Sequence, residues 1–539
     1  MQSFDFKKIL PHILVFVGFI VFSLLYSYPQ LDGKKLNEGD ARQWVGMSKE
    51  AVDWHNKTGD RPLWSNSMFG GMPTYTYYIP DTNNLPQRIQ NFITDTLGKP
   101  ACFLFLALIC FYILMRVLHV NMWLSIAGSI AYALCSFNIE IIVAGHESQM
   151  FAIAYFPAVI AGVMLLYRSK WWQGIPTLGL SLALMIASGH YQMVYYAIIV
   201  VLFLAIGKLI TAIRTGNIKN FVVSSLIALV TAFVALGPSL EIIMPTLEYN
   251  KETMRGGNSE LTINQHDTGK KSGGLDKDYA FQWSNSIGET FCLLIPGLYG
   301  GSSNEPLAMD SNLGDKLASM NVPDEYISQI TSNAPLYWGD QPFIGGPFYV
   351  GAVICFLFVL GILVVPGQNK WWVVAVSALA IVMSWGRHFP AFNYFLFDTL
   401  PMLNKFRTPS MVLTIVELMF PLMGIWGLSN IIMEKLPMDE VWKKTKIAVI
   451  VTAGLCLLLG VGGSAFFSFK SPVTDAKLTE QYGKMLGNPQ AGVELIKALQ
   501  ADRAHVAMMS GIVSAIYIIL AGLLLWAYSQ NKVKANTMI

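Results

Sequence analysis

The sequence predicts an all-α polytopic membrane protein of about twelve transmembrane helices with long extracytoplasmic loops. Three observations predict it. Of the 539 residues, 53% are hydrophobic and only 13% are charged, whereas soluble domains carry about 25% charged residues. The mean hydropathy is +0.46, with 14 Trp, 31 Phe and 25 Met, an apolar surplus that needs lipid rather than water as its solvent. The apolar residues also come in runs close to the roughly 20 residues that a spanning helix needs. A formal charge of +3 without long basic runs argues against nucleic acid as a partner.

In chain order the runs fall near 9–27, 101–116, 122–139, 150–167, 174–189, 191–208, 220–244, 347–365, 371–386, 409–433, 446–468 and 507–528. The first follows Lys7 and Lys8 and lacks a small-residue cleavage site before Tyr28 and Pro29, so it reads as an uncleaved helix rather than a signal peptide. The stretch 391–402 has the length of a re-entrant or interfacial piece. Cys110, Cys135, Cys355 and Cys456 fall within apolar runs, Cys102 ends another and only Cys292 sits in a polar loop, so no disulfide framework is expected.

Orientation follows from Lys and Arg in the short loops. With the N-terminus inside, the inner loops hold Arg116, Arg168, Lys170, Lys208, Arg214, Lys219, Lys370, Lys435, Lys443, Lys444 and Lys446. The short outer loops hold only Arg387, Lys405 and Arg407. Both termini are then cytoplasmic. The polar segments 28–100, 245–346 and 469–506 face outward. The chain divides into an N-terminal membrane module (1–244), a large outer loop (245–346) and a C-terminal membrane module (347–539). The cytoplasmic side has no loop long enough for a nucleotide-binding domain, and no GxxxxGKS or GxxxxGKT phosphate loop is present. GGNSE and KKSGGLD mark turns in the second loop.

An ionisable group in a membrane costs about 2.5–3.5 kcal/mol on insertion scales, so each one asks for a reason. Glu38 and Asp40 in NEGDARQW present two carboxylates from one turn, suited to a base with its orienting partner or to a metal. Alternatively they are solvated acids, with Asp40 capping a helix through ARQWVGMSKEAVDWHN. VAGHESQMF and SGHYQMVYY place His146 and His190, with Tyr191 and Gln192, at two outer helix starts. Each imidazole either binds phosphate, substrate or metal, or satisfies an open helix end. Arg387, Lys405 and Arg407 call for a counter-anion, either a phosphate, which an Arg fork matches, or Asp398 and lipid headgroups. Glu417 lies eight residues into its helix, about 12 Å deep. It serves either structural pairing or substrate contact. RPLWSNSMFGGMPTYTYYIP reads as an interfacial aromatic belt, or as an amphipathic loop over a lipid tail with Trp64, Phe69 and Tyr75 as its contacts.

Together these pieces resemble the bacterial YfhO family, a branch of the GT-C membrane glycosyltransferases, over nearly the whole chain. LWSNSMFGGMPTY after EGD is the most specific part. AGHESQ, SGHYQMVYY, LDKDYAFQWSNSIGETFCLLIPGLYGG and NKFRTPSM follow in the same order. The resemblance implies a GT-C-like fold and transfer of a sugar from a polyprenyl-phosphate carrier to an extracytoplasmic acceptor hydroxyl. Asp40, with Glu38, matches the acidic motif of the first outer loop. The chain stops at SQNKVKANTMI where such relatives often continue into a further outer domain, which leaves the acceptor open among envelope glycan, lipid and protein.

The expected site follows. Asp40 is the base, and Glu38 orients it or helps hold a divalent cation, Mg or Mn. Arg407, Arg387, Lys405, His146 and His190 bind the donor phosphate. Glu417, Tyr191, Gln192 and Trp64 line the substrate cavity. Displacement inverts the anomeric centre. The expected location is the bacterial inner membrane with the site outside. Rival readings are an O-antigen-type polymerase or ligase acting on lipid pyrophosphate glycans, a transporter not driven by ATP, and a scaffold for envelope enzymes. A transporter ordinarily gathers its polar residues at the midplane of repeated halves.

Overall fold

The computed structural model describes residues 6–79, 83–256, 273–367, 370–433 and 436–534. Most of the GGNSE turn, the start of KKSGGLD and Lys435 lie outside the described residues. Helix α1 (Phe6–Tyr26) leads into the first long polar segment, which forms α2 (Gly39–Thr58), a hairpin of β1 (Trp64–Ser65) and β2 (Met72–Pro73), and α3 (Leu85–Leu97). Then come α4 (Ala101–Val117), α5 (Met122–Ala133), α6 (Ser136–Ala144), α7 (Glu147–Tyr167), α8 (Trp171–Ala187), α9 (Tyr191–Thr215), α10 (Ile218–Leu236) and α11 (Leu240–Tyr249). The second long segment holds only short helices, α12 (Lys277–Ala280), α13 (Asn312–Ser319) and α14 (Asp324–Thr331). The chain ends through α15 (Ala352–Val364), α16 (Trp371–Ser384), α17 (Pro390–Thr399), α18 (Thr414–Met433), α19 (Met438–Gly460), α20 (Asp475–Met485) and α21 (Pro489–Ser529).

The chain is a helical, membrane-embedded protein, and each predicted apolar run contains helix. Twelve spans is nevertheless a finer count than the helices carry. Among the described residues six helices are long and apolar enough to cross a membrane, or eight if each bent pair forms one span. The pairs are α3 with α4, bent by 118°, and α5 with α6, bent by 46°. The reason is length. Helices α8, α15 and α16 have 17, 13 and 14 residues, below the roughly 20 that a hydrocarbon core requires.

Helices α7 and α18 are apolar all round and enclosed nearly all round, as such helices must be. Close helix approach uses glycine, as in lipid generally. A Cβ at Gly162 of α7 would stand 2.5 Å from the backbone of Leu178 in α8, and one at Gly427 of α18 would stand 2.5 Å from Gly361 in α15. All six cysteines are free and buried.

The third polar segment departs from expectation. Residues 489–506 are no loop, because α21 runs unbroken for 41 residues. At 1.5 Å per residue that is about 60 Å, twice a hydrocarbon core of ~30 Å. Its first half packs instead on the second polar segment. Asp502 accepts from the backbone of Asn312 and Leu313 at 2.9 Å each, satisfying open N–H groups at the start of α13. Arg503, fully enclosed, pairs with Asp475 at 2.8 Å and donates to the carbonyls of Phe469 and Pro335 at 3.0 and 2.9 Å. The first polar segment also meets the second, around one cavity. All three therefore gather at one end of the bundle.

Candidate functional site

That cavity has a volume of about 430 Å³ and lies between the start of α2, the α6–α7 turn, loop residues 283–301 and 337–348, and the turn before α18. It falls in the range of small-molecule sites, about 300–1,000 Å³.

Gly145 creates its first corner. Its φ of +88° ends α6 in the left-handed conformation that glycine adopts without strain, so the chain reverses directly into α7. A Cβ there would also stand 3.0 Å from the backbone nitrogen of Ala41 and from Glu38. The bare α-carbon lets the start of α2 dock on the turn. Two residues fall into register as a result: Asp40 Oδ2 lies 2.8 Å from His146 Nε2, and both line the cavity. Asp40 occupies the first turn of α2, where the helix dipole favours a carboxylate. Glu38, not Asp40, occupies the position before the first turn, and its side chain makes no capping hydrogen bond.

Arg407 supplies the opposite charge. The preceding loop is pinned because Gln192 Nε2 donates to the Arg407 carbonyl at 2.8 Å. The following turn is pinned because Thr408 N and Ser410 N donate to the carbonyls of Ala280 and Trp283 at 2.9 and 3.2 Å. Thr408 has φ +61°, a rare conformation for a β-branched residue. The guanidinium donates to Tyr279 Oη at 2.6 Å and lies over the rings of Tyr279 and Trp283. Among the described residues no carboxylate pairs with it. An uncompensated guanidinium on a cavity wall is suited to an anionic ligand.

The remaining predicted residues separate from these three. Glu38 turns toward the Lys99–Glu147 pair, which is closed at 2.6 Å, and burial followed by the Glu147 charge raises its carboxyl pKa. It does not line the cavity with Asp40. Among the described residues no group of three His, Cys, Asp or Glu could hold a metal. Glu38 and Asp40 do not present both carboxylates to the cavity. Arg387 already has a partner, Asp340, at 3.1 Å, and donates to the Asp340 carbonyl at 2.8 Å. Asp398 pairs instead with Lys277, at 2.7 Å. Lys405 donates to the carbonyls of Arg255 and Gly273, which makes it a loop clamp.

His190 fails as a phosphate-binding cation. Burial, followed by the nearby His146 and Arg255, lowers its pKa to about 4, so the ring is neutral at physiological pH. The folded state thus disfavours protonation relative to the unfolded chain. Its contribution to stability is complete above about pH 6.5 and is lost as the pH falls toward 4. Allowing for a partly exposed ring, the loss should be on the order of 2 kcal/mol. Thermal unfolding of His190→Gln should accordingly depend less on pH over this window than that of the wild type. An equal slope in both proteins would contradict the assignment.

The four residues expected to line the substrate cavity are absent from its wall. Gln192 borders a smaller pocket of about 40 Å³ on the other side of Arg407. Tyr191 starts α9 beside it, half-buried. Trp64 stays with its hairpin, where a Cβ at Gly71 would meet its ring at 2.8 Å. Glu417 is fully enclosed in the bundle, beside Cys135 and Asn138. It does not reach the cavity.

A polar cluster on the wall escaped sequence reading. Glu289 is buried, and its Oε1 accepts from Tyr337 Oη at 2.6 Å and from Gln341 Nε2 at 3.1 Å. Its Oε2 accepts from Ser286 N at 2.6 Å. Burial raises its pKa, against the pull of these donors. Asn285 joins through Gln341 Nε2 at 3.0 Å. Asn285 and Glu289 lie within the quoted SNSIGET stretch, but nothing there points to Gln341, more than fifty residues away. Neither a family model, nor a curated protein, nor a solved structure matches the chain.

Proposed function

We propose that the protein is a GT-C-type glycosyltransferase that moves a sugar from a polyprenyl-phosphate carrier to an acceptor hydroxyl of envelope glycan, lipid or protein. In this reading it lies in a bacterial inner membrane with both termini cytoplasmic and the cavity outside. One observation carries the proposal: the Asp40–His146 pair shares a single cavity with Arg407, which has no carboxylate partner among the described residues. A leaving phosphate needs a fixed cation, and an attacking hydroxyl needs a base.

The chemistry follows from these three residues. His146 Nε2 holds Asp40 Oδ2 and leaves Oδ1 for the acceptor. As the acceptor oxygen bonds to the anomeric carbon, Asp40 takes its proton. The bond from that carbon to the phosphate oxygen breaks, and its electron pair leaves with polyprenyl phosphate, whose charge Arg407 balances. A single displacement of this kind inverts the anomeric centre.

The test is sugar transfer by the purified chain from polyprenyl-phosphate sugars in lipid nanodiscs. Arg407→Ala should lower kcat/KM by about 10²–10³-fold, the usual effect of removing one electrostatic stabiliser, with donor binding weakened. Turnover with pyrophosphate-linked glycans alone would instead favour a polymerase or ligase. Solute uptake into proteoliposomes without sugar transfer would favour a transporter.

A further inference from the structure

We infer that the wall carrying Asn285, Glu289 and Gln341 is a saccharide subsite that reads neighbouring hydroxyls of a sugar ring by an oriented amide pair. This rests on the proposed transferase reading and adds to it the place where the sugar is recognised.

The orientation of the amides is dictated from behind. Tyr337 Oη accepts from Gln341 N at 3.2 Å, so its own hydrogen goes to Glu289 at 2.6 Å. Ser286 N donates to the other carboxylate oxygen. A carboxylate only accepts, so Gln341 must turn its NH₂ toward Glu289. The same NH₂ reaches Asn285 Oδ1, which uses both its hydrogens. Gln341 Oε1 and Asn285 Nδ2 are thereby forced the other way. Among the described residues neither atom has a partner, although both residues are buried and both line the cavity. Buried polar groups ordinarily find partners. Here one acceptor and one donor are held ready toward the void.

A ring with adjacent hydroxyls complements this pair, because each hydroxyl both gives and receives a hydrogen bond. A phosphodiester does not, since its oxygens only accept and cannot donate to Gln341 Oε1. A lipid tail does not either, because it would leave both amide atoms unpaired. Aromatic faces complete the wall. Tyr299 stacks on Trp338 with centroids 3.9 Å apart, and Phe343 meets Trp283 edge-on at 5.4 Å. Tyr299, Trp283 and Phe343 line the cavity and offer rigid apolar surface to the C–H face of a sugar. The same cavity thus keeps phosphate at Arg407 and the neutral ring at the amide wall. Glu289 is a positioning residue in this arrangement, while Asn285 and Gln341 make the contacts.

The experiment measures binding to the full chain in lipid nanodiscs, by calorimetry, of farnesyl phosphate and its glucosyl, galactosyl and mannosyl phosphodiesters. The wild type should bind at least one glycosylated lipid about tenfold more tightly than farnesyl phosphate, and should separate it from its epimers. Asn285→Ala and Gln341→Leu should each bring that ratio close to one while leaving farnesyl phosphate affinity unchanged. Glu289→Gln should reduce the ratio in part. Arg407→Ala should weaken all four ligands together. If the wild type binds farnesyl phosphate with no preference for any sugar, the subsite is overturned while the lipid-phosphate reading stands. If it binds none of the four, both fall. The wild-type comparison requires no variant, so a misfolded mutant does not protect the inference.

Discussion

On the proposed transferase reading, Asp40→Asn should leave the lipid-phosphate donor bound and lower kcat by about 10²–10⁴-fold, the usual contribution of a general base. The amide keeps the size of the carboxylate and its place beside His146, so the start of α2 and its docking on Gly145 are preserved. What is lost is the ability to accept a proton from the acceptor hydroxyl. If Arg407 holds the phosphate as proposed, donor affinity should change little, and the loss should fall on kcat rather than on KM. Single-turnover transfer alongside calorimetric donor binding measures both. Turnover at the wild-type rate would remove Asp40 from the reaction. His146→Gln should cost less, since it disturbs the orientation of Asp40 without removing its basicity.

The largest structural effect is expected from Asp475→Ala. Arg503 is enclosed completely, and the Asp475 carboxylate, at 2.8 Å, is its counter-charge. Removing one partner of a buried ion pair strands the other charge, at a cost of about 3–5 kcal/mol. The damage should be local at first, because this pair binds the protruding half of α21 to α20 and to the loop at Pro335. Limited proteolysis should cut the 300–340 region before the membrane helices unfold. Replacing Arg503 by Met in the same chain should restore much of the stability, since an apolar side chain of similar volume needs no partner. An unchanged thermal midpoint for Asp475→Ala would show that the pair is not needed.

Much of the site can be traced in the sequence. Asp40, His146 and Arg407 each stand out because a charged or titratable group beside an apolar run is costly and therefore conspicuous, and the three meet at one cavity. Arg387 and Lys405 stand out for the same reason yet serve other ends. Whether a cation is compensated depends on neighbours that spacing along the chain does not reveal: Asp340 lies 47 residues from Arg387, and the Gly273 carbonyl lies 132 residues from Lys405. His190 is similar. Its residue type allows a charge, but its surroundings remove it. The Asn285–Gln341–Glu289 cluster is built of common polar residues in a polar loop, where none is unusual until folding buries it.

Hydropathy alone determined that this is a helical membrane protein and where its apolar helices lie, because the cost of apolar surface in water is paid residue by residue along the chain. Charge placed beside those helices likewise marked Asp40, His146 and Arg407. Only the tertiary structure decided which helices are long enough to span, that α21 continues into the third polar segment, which cations remain without a carboxylate, and which amides face the cavity. Those outcomes depend on contacts between residues distant in sequence, and pairing energies exist only once folding has brought both partners together.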